Sequence, residues 1–161
     1  MNIRKTKKED IPCLMTLFQE ARQYMAANGN PRQWVNRPTA EDVLNDISQG
    51  HSYVCEEDGK VVGTFAYIPG PDPTYAVIYD GQWPDEAPYG VIHRIAGRKG
   101  AHGVVTTAFQ WAFRQCDRIR IDTHEDNSIM RKLLAQQGFI FCGTIMLADG
   151  TPRLAYFKHK E

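Results

Sequence analysis

The stretch Tyr89–Phe139 limits the possible folds more than any other part of the chain. It opens with Tyr89-Gly-Val-Ile-His-Arg-Ile-Ala96, whose alternation reads as a strand, and passes through the basic turn Gly97-Arg98-Lys99-Gly100-Ala101-His102-Gly103. A helix then places Val105, Ala108, Phe109, Ala112 and Cys116 on one face, and a second strand follows at Arg118–Thr123. Strand, helix and strand make a βαβ unit, in which the strands run parallel and the crossover is right-handed. The turn therefore falls at the carboxyl edge of the sheet, where open α/β folds bind ligands.

Composition of the turn points to the ligand. Gly97, Gly100, Gly103 and Ala101 clear side chains from the backbone, and the helix behind them offers unpaired N–H donors and a partial positive charge. Arg98 and Lys99 add full charges, and His102 lies between the last two small residues. Such a bend suits a phosphate. Taken alone, it reads equally as a surface turn with two solvated cations.

Before this unit, Asn2–Lys5 reads as an edge strand and Thr6-Lys-Lys-Glu9 as a capping box for a helix carrying Ile11, Leu14, Met15, Phe18, Ala21 and Met25. Asn28-Gly-Asn-Pro31 stops that helix. Thr39 caps a second helix running to about Gln49, with Val43, Leu44 and Ile47 inward. Strands at Ser52–Glu57 and Lys60–Ile68 flank Asp58-Gly59, the pair that a tight hairpin needs. Pro69-Gly-Pro-Asp-Pro73 ends the hairpin. The insert from Thr74 to Pro88 mixes the aromatics Tyr75, Tyr79 and Trp83 with the carboxylates Asp80, Asp85 and Glu86. A long insert is often functional, and aromatic faces beside acids would attract a cationic amine. The ordinary alternative is a solvated loop.

After the unit, Asp126-Asn127 caps a helix with Ile129, Met130, Leu133 and Leu134 inward, Gly138 closes it, and strands follow at Ile140–Leu147 and Leu154–Lys158. The whole of 1–161 fits one domain.

Nineteen basic and nineteen acidic residues balance, which argues against a general nucleic-acid or membrane-surface binder. The first ten residues do not resemble a signal peptide, and a cytoplasmic protein is the default expectation. Cys13, Cys55, Cys116 and Cys142 lie far apart, with no histidine at ligand spacing. Reduced, mostly buried thiols are expected and a metal site is not.

The segment Ile92-His-Arg-Ile-Ala-Gly-Arg-Lys-Gly-Ala-His-Gly-Val104 resembles the cofactor-binding segment of the GNAT superfamily of N-acetyltransferases. Arg98 and Gly103 fall on the outer positions of its signature, and Ala101 stands where the middle glycine is usual. Asn127 opening a helix that ends at Gly138-Phe139 is a second point of likeness. The resemblance implies an α/β (α+β) fold: a mixed, mostly antiparallel twisted sheet with a central parallel βαβ unit and flanking helices. It implies acetyl-CoA as cofactor and transfer of the acetyl group to a primary amine of a small molecule or peptide by direct attack. A CoA-binding sensor or interaction module of the same fold is the alternative. Backbone groups of Ile95 and Ala96 would hold the pantetheine arm, Arg98 to Gly103 the pyrophosphate, and Asn127 the cofactor from the neighbouring helix. The first two helices and their loop would form one wall of the acceptor pocket, so Trp34 either lines that wall or covers the core.

An attacking alkylamine arrives protonated, with a pKa of about 10.4, so a base is needed. His93 is favoured, because alternation puts it two residues before Ile95 and on the same face; His124, beside Glu125, is the second candidate. A lone strand histidine is more often structural than catalytic, and the His124-Glu125 pair reads equally as a solvated helix entry. The tyrosine that in the family often protonates the leaving thiolate is replaced here by Leu134, with Tyr156 a weak substitute. Dimers are common among similar proteins, so a homodimer stays open.

Overall fold

The computed structural model describes residues 1–161. Strands β1 (Asn2–Lys5), β2 (Ser52–Glu57), β3 (Lys60–Pro69), β4 (Gly90–Gly97), β5 (Arg118–Thr123), β6 (Ile140–Met146) and β7 (Pro152–His159) form one sheet in the order β1-β2-β3-β4-β5-β7-β6. Only β4 and β5 run parallel. Helices α1 (Ile11–Ala27) and α2 (Ala40–Ser48) precede the first hairpin, α3 (Val104–Gln115) crosses between the parallel strands, and α4 (Ser128–Gln136) follows β5. The mixed sheet with flanking helices is the one the resemblance implies.

Period-2 alternation divides the sheet into two faces. On one, Phe65, Ile92, Ile119, Ile121 and Tyr156 pack against α3 and α4 through Val104, Ala108, Phe109, Ala112, Phe113 and Leu134. Burying each large apolar side chain there contributes on the order of 2 kcal/mol. The opposite face carries α1 and α2 on Val54 and Ala96, through Leu14, Phe18 and Val43. Beside them, the segment between β3 and β4 lays Tyr75 and Trp83 on Val91, Ala155 and Phe157. This insert is thus a piece of core, tied to β6 by an antiparallel bridge between Tyr79 and Thr144.

Helix α3 begins with Val104-Val-Thr-Thr107, a β-branched run of weak helix propensity, so packing holds its first turn. Two glycines let it come close. A Cβ on Gly63 of β3 would lie 2.5 Å from Cγ1 of Val104, and one on Gly97 would lie 3.3 Å from its Cγ2. Val104 sits against the bare backbone of both strands, which pins the start of α3 beneath the end of β4.

Some expectations need correction. Thr6 does not cap a helix; its N–H donates to the Ser52 carbonyl and its hydroxyl oxygen accepts from the Ser52 hydroxyl, joining β1 to β2. Lys7 instead opens a single 3-10 turn, Lys8–Asp10, that leads into α1, its N–H donating to Asp10, which also holds Arg4. Leu44 and Ile129, expected inward, are exposed, and Phe113 rather than Cys116 completes the buried stripe of α3.

Candidate active site

Strands β4 and β5 pair only at Gly90↔Ile119 and Val91↔Arg120. Past those pairs no ladder joins them, so the backbone groups of β4 that face β5 lack strand partners. The cause lies in β4. Between the pairs Ala66↔His93 and Thr64↔Ala96, β4 advances three residues while β3 advances two. The extra residue is Arg94, at φ 51, a left-handed conformation that costs a non-glycine residue about 1 kcal/mol. A bidentate pair to Asp46 of α2, 2.7 and 2.8 Å, holds it in place.

The bulge also resets alternation. Ile92 and Ile95 pack on the α3 face, while Val91 and Ala96 belong to the opposite one. His93 shares the face of Val91, so it lies on the side opposite Ile95, and the same-face expectation is corrected. The histidine looks into one side of the gap and the isoleucine into the other. The gap opens into a cleft of about 460 Å³, lined from the α3 side by Ile92, Ile95, Ile121 and Met130 and from the other by Asp72, His93, Asp122 and Arg153.

His93 Nε2 lies 3.1 Å from Asp72 Oδ2. Burial works to raise the Asp72 pKa, but the hydrogen bond from His93 and those from the N–H and hydroxyl of Thr74 outweigh it and bring it to about 2. An ionised carboxylate only accepts, so His93 donates through Nε2 and presents Nδ1, which has no partner in the chain, as the free lone pair. Asp72 stands in the Pro-Gly-Pro-Asp-Pro run that read only as a strand terminator.

His124 is placed differently. It is 8% exposed, does not line the cleft, and its Nδ1 accepts the Asp126 N–H at 3.0 Å. Burial and the nearby Arg153 charge hold its pKa below the ordinary value. A neutral ring with that lone pair occupied orients the turn into α4 and is no base. Asn127 does line the cleft: its Oδ1 accepts the Met130 N–H, capping α4, and its Nδ2 donates to Gln33 Oε1 at 2.9 Å. Gln33 is a residue that sequence reasoning missed; its Oε1 also accepts from Asn30 and Thr123, tying the loop after α1 to the end of β5.

Of the expected acceptor-binding residues, Trp34 lines the cleft while packing edge-on against Phe18. Tyr75, Trp83 and Asp80 do not line it. Tyr75 and Trp83 are 1% and 7% exposed, the Trp83 Nε1–H donating to the Tyr75 carbonyl. The cation that the aromatics attract is the chain's own Arg120, whose guanidinium lies 4.1 Å from the Trp83 ring and 4.0 Å from that of Tyr89. Asp80 is exposed outside the cleft. Tyr75 acts from behind the cleft, its hydroxyl donating to Asp122 at 2.6 Å.

The turn after β4 is exposed. Two of its N–H groups are used internally, Arg98 donating to the Val62 carbonyl and Ala101 to that of Arg98. Those of Lys99, Gly100, His102 and Gly103, and of Val104 to Thr106 in the first turn of α3, have no partner in the chain. Gly103 caps the helix at φ 82 with open space where a Cβ would stand. Unpaired donors at a helix start, with no side chain in front, fit a diphosphate. The Arg98 guanidinium turns back toward Cys13 Sγ of α1, at 3.5 Å. Ala96 is buried against α1 and does not line the cleft, so its contribution is backbone alone.

Leu134 is fully buried in the α3 face, and Tyr156, 6% exposed among the same apolar residues, does not line the cleft. Among its lining residues the hydroxyls belong to Thr74 and Thr123.

A parallel pair splayed by a bulge above a helix start whose N–H groups are unpaired defines a domain of the acetyltransferase class. The chain belongs to the acetyltransferase (GNAT) family, whose model matches residues 14–139. It is similar to a GNAT-family acetyltransferase of known structure from Streptococcus agalactiae, with 34% identity, a TM-score of 0.89, and 99% of this chain and 95% of that one covered. A GNAT-family acetyltransferase from Listeria monocytogenes aligns at 16% identity and TM-score 0.66, covering 98% and 94% of the two chains. The ribosomal-protein-alanine N-acetyltransferase of Brucella melitensis aligns at 18% identity and TM-score 0.64, covering 99% of each. These last two share the fold. No protein of curated function gives a match. No helix is long and apolar enough to cross a membrane.

Proposed function

We propose that the protein is an acetyl-CoA-dependent N-acetyltransferase that acts on a primary amine and uses His93 as its base. Acetyl-CoA supplies an activated acetyl group when bound. The unpaired N–H groups of the turn and of the first turn of α3 fit its diphosphate, and the apolar side of the gap, with Ile92, Ile95 and Met130, fits its pantetheine arm. The amine approaches from the opposite face, where His93 Nδ1 takes its proton and Asp72 stabilises the imidazolium that results.

The observation that carries this reading is the His93–Asp72 pair beside the opening between β4 and β5. Carboxylates on the amine's side of the cleft favour a cationic acceptor, and the base then lowers its charge at the moment of attack. Buried Leu134 and the lack of a lining tyrosine favour a second reading, a CoA-binding module without turnover. A thiolate with an unperturbed pKa near 8.5 leaves without much help, which keeps the first reading ahead.

The test is acetyl transfer to a panel of amines as a function of pH. The wild type is expected to show kcat/KM rising with pH on a one-proton limb. His93→Gln is expected to lose about a hundredfold or more in kcat/KM, with the affinity for CoA retained. Tight CoA binding with no transfer to any amine would favour the second reading.

A further inference from the structure

Three cations line the cleft, and two are neutralised: Arg37 by Asp42 and Arg94 by Asp46. Arg153 of β7 is the exception. It is 7% exposed, yet it takes part in none of the ion pairs of the chain. Its protein partners are two carbonyls, Pro152 at 2.8 Å and Gln33 at 3.1 Å, which leave the rest of a five-donor guanidinium unanswered. Asp122 and Asp149 act on it through space without contact. A buried charge is ordinarily paired, and one that faces a cleft without a counter-ion is a place for a ligand's anion.

Position gives the rest of the ligand. Asp122 pairs with Ala155 across β5 and β7, so Asp122 and Arg153 lie on one face as diagonal neighbours, about 7 to 8 Å apart in such a ladder. His93 stands on the same face across the gap. Asp122, whose contact in the chain is the Tyr75 hydroxyl, supplies negative charge between the two. A cation-accepting group near the base and an anion-accepting group one strand further on match a short molecule with an amine at one end and an anion at the other.

We propose that Arg153 is a specificity residue that selects amine acceptors carrying a carboxylate a few bonds from the nitrogen, α-amino acids being the simplest class. This rests on the amine-acetyltransferase reading above. It excludes bare alkylamines as good acceptors, since they would leave the arginine buried and unanswered.

The test compares matched pairs: L-leucine with 3-methylbutylamine, L-methionine with 3-(methylthio)propylamine, and L-phenylalanine with phenethylamine. Transfer from acetyl-CoA is measured alongside calorimetric binding to the CoA-loaded protein. Wild type is expected to favour the carboxylated member in KM or Kd by about ten- to a hundredfold, the range of a charge-assisted hydrogen bond. Arg153→Gln is expected to collapse that ratio toward one, and Arg153→Lys to restore part of it. The wild-type comparison stands even where a variant fails to fold. Equal or better use of the bare amines overturns the inference and leaves the amine-acetyltransferase reading intact. Selective binding of the amino acids, lost in Arg153→Gln but without transfer, supports the inference and counts against that reading. Neither binding nor transfer for any pair overturns both.

Discussion

The Asp72 carboxylate is the residue on which the proposed chemistry turns, because it fixes which nitrogen of His93 carries the proton. Its pKa falls from 3.8 to about 2 in the folded chain. A depressed carboxylate pKa stabilises the fold fully above the unfolded value, and that contribution is lost as pH falls from 3.8 toward about 2. The side chain is 16% exposed, so the linkage is worth about 2 kcal/mol near neutrality. Asp72→Asn should therefore unfold at lower urea than wild type at pH 7, with the difference shrinking as the pH drops toward 3. A gap that stays constant over that range would show that the carboxylate charge contributes nothing. The same variant should lose about tenfold or more in kcat/KM, since a neutral amide orients the ring without stabilising its cation. The residues that escaped sequence reasoning are of this kind. Asp72 and His93 are 21 positions apart, and no local pattern joins them. Arg153 falls one residue before the strand expected at Leu154–Lys158 and carries no local signal. Tyr75 and Trp83 were read as faces for a cationic amine, but the spacing of an insert does not reveal that Tyr75 is buried or that Arg120 lies over the Trp83 ring.

At the scale of elements, the bulge in β4 and the start of α3 make the site, and each has a support that mutation can remove. Asp46 is 10% and Arg94 26% exposed, so their pair is partly screened, and its loss in Asp46→Ala is expected to cost about 2 kcal/mol. Freed of its partner, Arg94 can leave the left-handed region, and the KM for acetyl-CoA should rise several-fold. Unchanged KM with lowered stability would separate the bulge from cofactor binding. Gly63→Ala drives a Cβ to 2.5 Å from Val104 and should destabilise by about 1 to 3 kcal/mol, with Val104→Ala in the same chain recovering most of it. Additive losses would mean that the two do not meet. Apart from the start of α1, the elements themselves were legible to within a residue or two, because periods of 2 and 3.6 and the stops at Asn28, Gly59 and Gly138 are local signals. The bulge was not: one extra residue in β4 shows only against the register of β3, and it turned the expected same-face relation of His93 and Ile95 into an opposite-face one.

For the whole molecule, the sheet separates two approaches to one gap. On the α3 and α4 side lie apolar residues and unpaired main-chain donors, the side proposed for the cofactor; on the side of α1, α2 and the insert lie the charged groups, the side proposed for the acceptor. Family membership follows from the match over residues 14–139, while the division of charge between faces follows from which residues line the cleft. Amides from Lys99 to Thr106 that lack partners should exchange with solvent quickly in the free protein and slow by more than tenfold on saturation with CoA, together with those of Ile92–Ala96 in β4. Hydrogen exchange read by mass spectrometry with and without CoA measures this directly. Protection concentrated in those two segments is the predicted result, and unchanged exchange there at saturating CoA would contradict the account.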